Sequence, residues 1–309
     1  MPIRSVSDIV QEKDSYMKES LSRAQSVFYL QLSNVLFAGT AICISLMSGK
    51  FDGYFTSFCR FLVGLVIGFT QLRLEKKPFR IIRFKPWLGR GIFGAAGMTL
   101  YYVAIALGTP GRASLFNNSF PLFVAIIAIF ILRDDVRANT VAGLVIAFSG
   151  IALVLWDGSR VPPLADVIGL ASGILAGISY HFNKAASKTE DPIVIYLGVC
   201  FVGILANAFS LSQLSRLDIL SALLLVIAAM GGYFAQICIT VGLRDIPTTE
   251  GSVHTFAKIP ITVFAGFVLL GNIITWRFIA GTALLFAGLI LNQLIIRPKR
   301  IKVEHLPKA

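Results

Sequence analysis

Lys258, Arg60 and His254 stand inside long apolar runs, and those are the places in this 309-residue chain where a polar side chain has chemistry to do. An ionisable group at membrane depth costs about 2.5–3.5 kcal/mol on insertion scales, so it is kept facing a partner or a wet cavity. Lys258 lies eight residues beyond Glu250, which at the helical rise places it roughly 12 Å into its run. Arg60 has a similar depth from the far end of its own run. No Asp or Glu occupies the centre of any run, so neither cation has an obvious buried carboxylate partner. A chamber lined by cations without acids suits a carboxylate- or phosphate-bearing ligand, and it argues against export of cations on an embedded Glu. For Arg60 the alternative, holding the carbonyls of neighbouring helices, carries equal weight. His254 precedes Lys258 by one turn on the same face and Pro260 follows it, which makes that stretch both polar and kinked.

Proline removes the backbone bond to the carbonyl four residues earlier. Pro121 and Pro260 therefore release the carbonyls of Asn117 and Phe256, which need other donors at membrane depth. Asn117, Asn118 and Ser119 put polar side chains at the first of these breaks; a kink serving helix packing alone is the plainer alternative. Tyr101 and Tyr102, Tyr180, His181 and Lys184, and Tyr233 and Gln236 form a second tier that could shape specificity. Tyrosines near span ends are commonly interface anchors, so Tyr101 and Tyr233 rank above Tyr180. Asn34, near the middle of the first run, lines a cavity or bridges helices.

Enzyme chemistry finds little support. His181 and His254 lack an Asp or Glu at orienting distance along their helices, and HExxH, GxSxG and GxxxxGK[ST] are absent. Cys43, Cys59, Cys200 and Cys238 sit in apolar runs without CxxC spacing, as buried structural thiols do. No metal and no cofactor is expected. The formal charge of +12 comes from Lys and Arg placed between apolar runs, a pattern that sets membrane topology and does not build a nucleic-acid face.

The elements that must position these residues follow from composition. Apolar residues make up 56% of the chain and charged ones 14%, with a mean hydropathy of +0.77. A span needs roughly 20 apolar residues, and the runs predict ten: near 24–47, 53–72, 87–107, 112–132, 139–156, 164–183, 192–212, 218–243, 250–271 and 275–296. With both termini in the cytoplasm, twenty Lys and Arg residues fall on that side. Five (Lys50, Arg112, Arg160, Arg216 and Arg277) fall on the other. That asymmetry is the positive-inside signature of an even number of spans. The first run is too long for a cleaved signal-peptide core, and residues 1–23 form either a short surface helix or a tail.

The fourth and fifth runs share a skeleton with the ninth and tenth. Pro121 precedes Gly143 by 22 residues and Pro260 precedes Gly281 by 21; Gly143 and Gly150, like Gly281 and Gly288, are seven apart. Small residues two turns apart share one face, so the fifth and tenth spans are expected to pack through these four glycines. Gly64 and Gly68 add a GxxxG to the second span. Two five-span halves must sit upside down relative to each other, the inverted-repeat plan of many secondary transporters. The expected organisation is a cytoplasmic segment 1–23, a first five-helix repeat 24–156, a linker 157–163, a second repeat 164–296 and a basic cytoplasmic tail 297–309.

These paired Pro-then-Gly-x6-Gly blocks resemble the EamA repeats of the drug/metabolite transporter superfamily, over most of the chain. The resemblance implies an all-α integral membrane protein of ten helices, termini inside, that exports or exchanges small metabolites. Amino acids, phosphorylated sugars and nucleotide-linked compounds are the substrates it implies. The family's Gly-Glu after the fourth and ninth spans is replaced here by Arg133-Asp134 and Gly271-Asn272, at a turn read as structural. Basic residues on the ninth helix are similar to those that plastid sugar-phosphate exchangers offer a phosphate. The expectation is a secondary transporter of a small anionic or zwitterionic metabolite in a bacterial inner membrane, monomeric, with membrane lipids as its other partner. A lipid-linked substrate flippase is the alternative, and an intramembrane lipid-head-group enzyme a more distant one.

Overall fold

The computed structural model describes residues 22–123, 126, 138–156, 161–244, 246 and 254–294. The N-terminal segment, Arg133-Asp134 and the basic tail lie outside them. Among the described residues the protein is all-helical. Its α-helices run Arg23–Met47 (α1), Gly53–Leu74 (α2), Phe84–Leu107 (α3), Pro110–Asn117 (α4), Ala138–Leu155 (α5), Pro163–Ala186 (α6), Pro192–Asn207 (α7), Ile219–Arg244 (α8), Lys258–Leu270 (α9) and Trp276–Leu294 (α10). Short 3-10 segments cover Ala208–Arg216 and Thr255–Ala257. Among the described residues six helices, α1, α2, α3, α6, α7 (with the 3-10 turn that follows it) and α8, are long and apolar enough to cross a membrane. α9 has 13 residues and α4 has 8, because local chemistry interrupts both runs.

Helix starts are written in the sequence. Ser22 and Gln25 form a reciprocal capping box, the Asp52 carboxylate accepts from the Phe55 N–H, and Thr109 and Asp191 cap helices that open on Pro110 and Pro192. Proline at the first helical position loses nothing, since that N–H has no intrahelical acceptor. α9 ends where Gly271 adopts a left-handed φ of 66°, the conformation for which glycine carries no steric penalty. Ile82 and Arg83, between α2 and α3, donate their backbone N–H groups to buried Glu190, which lies between α6 and α7. The Lys77 ammonium and the Gln71 amide hold the nearby Glu75 carboxyl below the usual carboxylate range.

The helices fall into two compact units. One, within Met1–Val124 and Arg160–Ile274, contains α1–α4 and α6–α9; the other, within Ala125–Ser159 and Thr275–Ala309, contains α5 and α10. In the larger unit α3 packs on α6 and α7, α8 on α1, and α2 on α7. Gly64 and Gly68 seat α2 against Tyr196 and Leu197, and Gly173 brings α6 onto the Phe116 carbonyl. Arg112 of α4 and Asp166 of α6 form a buried bidentate ion pair, with Arg112 Nε 3.0 Å from one carboxylate oxygen and Nη2 on the other.

In the smaller unit α5 and α10 meet backbone to backbone. A Cβ built on Gly150 would lie 2.5 Å from the Gly281 carbonyl, and one on Gly288 would lie 2.4 Å from that of Gly143. A methyl group cannot enter a space bounded by rigid backbone on both sides. Gly288→Ala is therefore expected to lower stability by about 1–3 kcal/mol, read as a fall in the thermal unfolding midpoint of the purified protein. Gly49→Ala, with nothing within 4 Å, is the control expected to leave the midpoint in place.

Candidate functional site

A cavity of about 110 Å³ lies within the larger unit. A water needs roughly 10–15 Å³ on this measure, so the space holds several waters or one small metabolite. Its walls repeat helical spacing: Ala176, Ser179, Tyr180 and Asn183 come from one face of α6, and Gln236, Ile239 and Leu243 from one face of α8. Along α3 the lining residues are Arg90, Gly94, Gly97, Met98 and Tyr101, a single stripe. At the helical rise this stripe runs for roughly 16 Å.

Three cations face this space, Arg60 from α2, Arg90 from α3 and Lys258 from α9, with exposures of 2%, 7% and 5%. No Asp or Glu among the described residues lines it. The Lys258 ammonium sits 4.2 Å from the centre of the Tyr101 ring and 5.2 Å from that of Phe37, and it has no hydrogen-bond acceptor among the described residues. Phe37 is shared with Arg60, whose guanidinium lies 5.8 Å from the same ring. Arg60 also donates to the Tyr102 hydroxyl at 2.7 Å and to the Gly232 carbonyl at 3.2 Å. Ring faces attract cations by about 0.5–2 kcal/mol each, less than the several kcal/mol that burial of a charge costs. Arg90 donates to the Ser179 hydroxyl at 2.6 Å, while its Nε finds no partner among the described residues.

Both proline-associated breaks reach this cavity. The chain leaves α geometry at Asn118 and Ser119 before Pro121, where Asn118 donates to the Ser114 carbonyl and Asn117 to the Ser172 hydroxyl. Before Pro260 it is 3-10 over Thr255–Ala257. Lys258 thus stands in the first turn of α9, where the sequence placed it roughly 12 Å into a kinked ninth span. The His254 carbonyl accepts from the Asn34 amide at 2.6 Å, so α1 holds the segment that delivers Lys258.

Of the residues singled out in the sequence, Lys258, Arg60, Asn117, Asn118, Tyr101, Gln236 and Asn34 line the cavity together. The structure places others, Tyr102, His181 and Lys184 among them, outside the lining. The His254 ring meets Gln31, Ser119 turns back to the Phe116 carbonyl, and Tyr233 donates to Gln71 and packs on Tyr196. Tyr180, ranked below Tyr233, lines the cavity instead. Arg90, Phe37, Ser179 and Asn183 were missed. The i, i+4, i+7, i+11 run Arg90, Gly94, Gly97, Tyr101, a polar-and-small stripe in an otherwise apolar helix, was the signal for Arg90.

Comparison with known proteins gives the same picture of class. The profile of the EamA-like transporter family matches residues 25–156 and again 163–294. A protein of Archaeoglobus fulgidus named as an uncharacterized transporter is 24% identical over 63% of this chain and 74% of its own length. The uncharacterized transporter YrdR of Bacillus subtilis is 22% identical over 81% of this chain and 85% of its own. One protein of known crystal structure, 17% identical, shares the fold with a TM-score of 0.62 over 88% of this chain and 99% of that one. With both halves matched, the chain belongs to the EamA-like transporter family.

Proposed function

We propose that this membrane transporter moves a small anionic metabolite, or a zwitterion held by its carboxylate, by alternating access between two inverted five-span halves, with both termini in the cytoplasm. The observation that carries the reading is the cavity of three buried cations and no carboxylate among its described lining residues. Such charges are retained against a desolvation cost of several kcal/mol each. A ligand of opposite charge removes that cost at the moment of binding, so the cavity discriminates against cations by repulsion as well as for anions by attraction. The Tyr180 hydroxyl and the Asn183 side-chain oxygen, both in the lining and without hydrogen-bond partners among the described residues, supply the neutral contacts that would orient such a ligand. The 20-to-5 split of Lys and Arg supports the orientation, and the two matched repeats support the ten-span plan.

A ligand that binds the folded state raises apparent stability. Amino acids, phosphorylated sugars, nucleotides and short carboxylates screened against the purified protein are expected to raise its unfolding temperature only when anionic or carrying a free carboxylate. Stabilisation by organic cations or by lipid-linked compounds alone overturns the assignment.

A further inference from the structure

The charges in the cavity are not pooled at one point. Arg60 and Lys258 approach the same Phe37 ring and lean on the adjacent Tyr102 and Tyr101, making one cage. Arg90 belongs elsewhere. Its guanidinium reaches one turn along α3, with Nη1 beside Gly94 and on the Ser179 hydroxyl, and Gly94 precedes Tyr101, the ring that carries Lys258, by seven residues, roughly 10 Å along the helix. Between Gly94 and Tyr101, Gly97 adds no side chain to the lining. The cavity of about 110 Å³ is thus lined by two separate cationic groups, the Arg60–Lys258 cage and Arg90.

A ligand with one negative group compensates one end and leaves the other cation desolvated without a counter-charge, the costly arrangement for a buried ion. We propose that the cavity takes an elongated dianion, two anionic groups joined by a short flexible chain, with one group on the Arg60–Lys258 cage and the other beside Arg90. Ser179, already bonded to Arg90 Nη1 at 2.6 Å, fixes the guanidinium so that its remaining N–H groups meet the second anion in a set direction. Arg90 is then the residue that tells two charges from one. This rests on the anion reading of the cavity and is separable from it.

The test uses the full-length protein in detergent and dissociation constants from ligand-dependent thermal shifts. Probes are the α,ω-dicarboxylates from succinate to pimelate and the monocarboxylates of matching length. Wild-type protein is expected to bind a dicarboxylate of intermediate length about tenfold more tightly than its monocarboxylate partner, as one added charge-assisted contact provides. Arg90→Gln should erase that preference, bringing dicarboxylate affinity down to that of the matching monocarboxylate, and Arg90→Lys should keep part of it. The wild-type length series needs no variant and stands if Arg90→Gln fails to fold. Equal wild-type affinity for both classes overturns the dianion, and a preference that survives Arg90→Gln overturns Arg90 as the seat of the second charge; either result leaves the anion reading intact. Binding of neither class overturns both.

Discussion

Replacing Lys258 with Gln is expected to lower anion flux into proteoliposomes by about a hundredfold while the purified protein unfolds at the same temperature or a higher one. The two halves of that result have one cause. The ammonium is 5% exposed, rests on aromatic faces, and has no carboxylate or carbonyl among the described residues to offset its burial. Truncating a buried group that pairs with a charged ligand costs 2–5 kcal/mol or more of binding, and about 2.7 kcal/mol is a hundredfold. In the empty protein the same substitution removes an uncompensated charge and so relieves the fold, the opposition of stability and activity found at functional sites. Unchanged flux would take Lys258 out of the site. A large fall in unfolding temperature would make it a structural residue.

Asp166→Ala is expected to do the reverse, destabilising the protein by about 3–5 kcal/mol. Arg112 and Asp166 are both nearly inaccessible, at 7% and 4% side-chain exposure, and they join α4 to α6 just ahead of the Asn118–Ser119 break. Removing the carboxylate takes away the acceptor of Arg112 Nε and Nη2 at a buried guanidinium, whereas replacing both members of the pair by leucine removes both desolvated groups. The double replacement, Arg112→Leu with Asp166→Leu, should therefore recover most of the loss. Thermal unfolding of the single and double variants decides it: a single variant as stable as wild type would show that the pair compensates nothing.

How far the sequence carried depended on which physical signal each feature leaves. Apolar runs and the placement of Lys and Arg come from the solvent a segment must meet, so the membrane class and the repeat were readable before any coordinates. Lys258 and Arg60 were readable for the same reason, since a lone charge in such a run is conspicuous. Rotation about a helix axis was not. Where every face is apolar, no stripe points to the interior, and depth along the run, which favoured Tyr233, says nothing about the side on which it points. Tyr233 turned to Gln71 while Tyr180, nearer its span end, reached the cavity. Arg112 read as a flanking topology charge because its partner is 54 residues away. The four glycines of α5 and α10 were legible because spacing by seven carries its own rotation.

The bare cavity has a consequence for kinetics. In the alternating-access cycle proposed above, the unloaded carrier returns with three like charges lining its cavity, whereas the loaded carrier makes the same crossing nearer neutrality. Repulsion at low dielectric therefore raises the barrier for the unloaded return above that for the loaded one. Traffic through this protein should consequently run as barter: labelled solute leaves preloaded vesicles quickly when the same solute waits outside, and slowly into plain buffer.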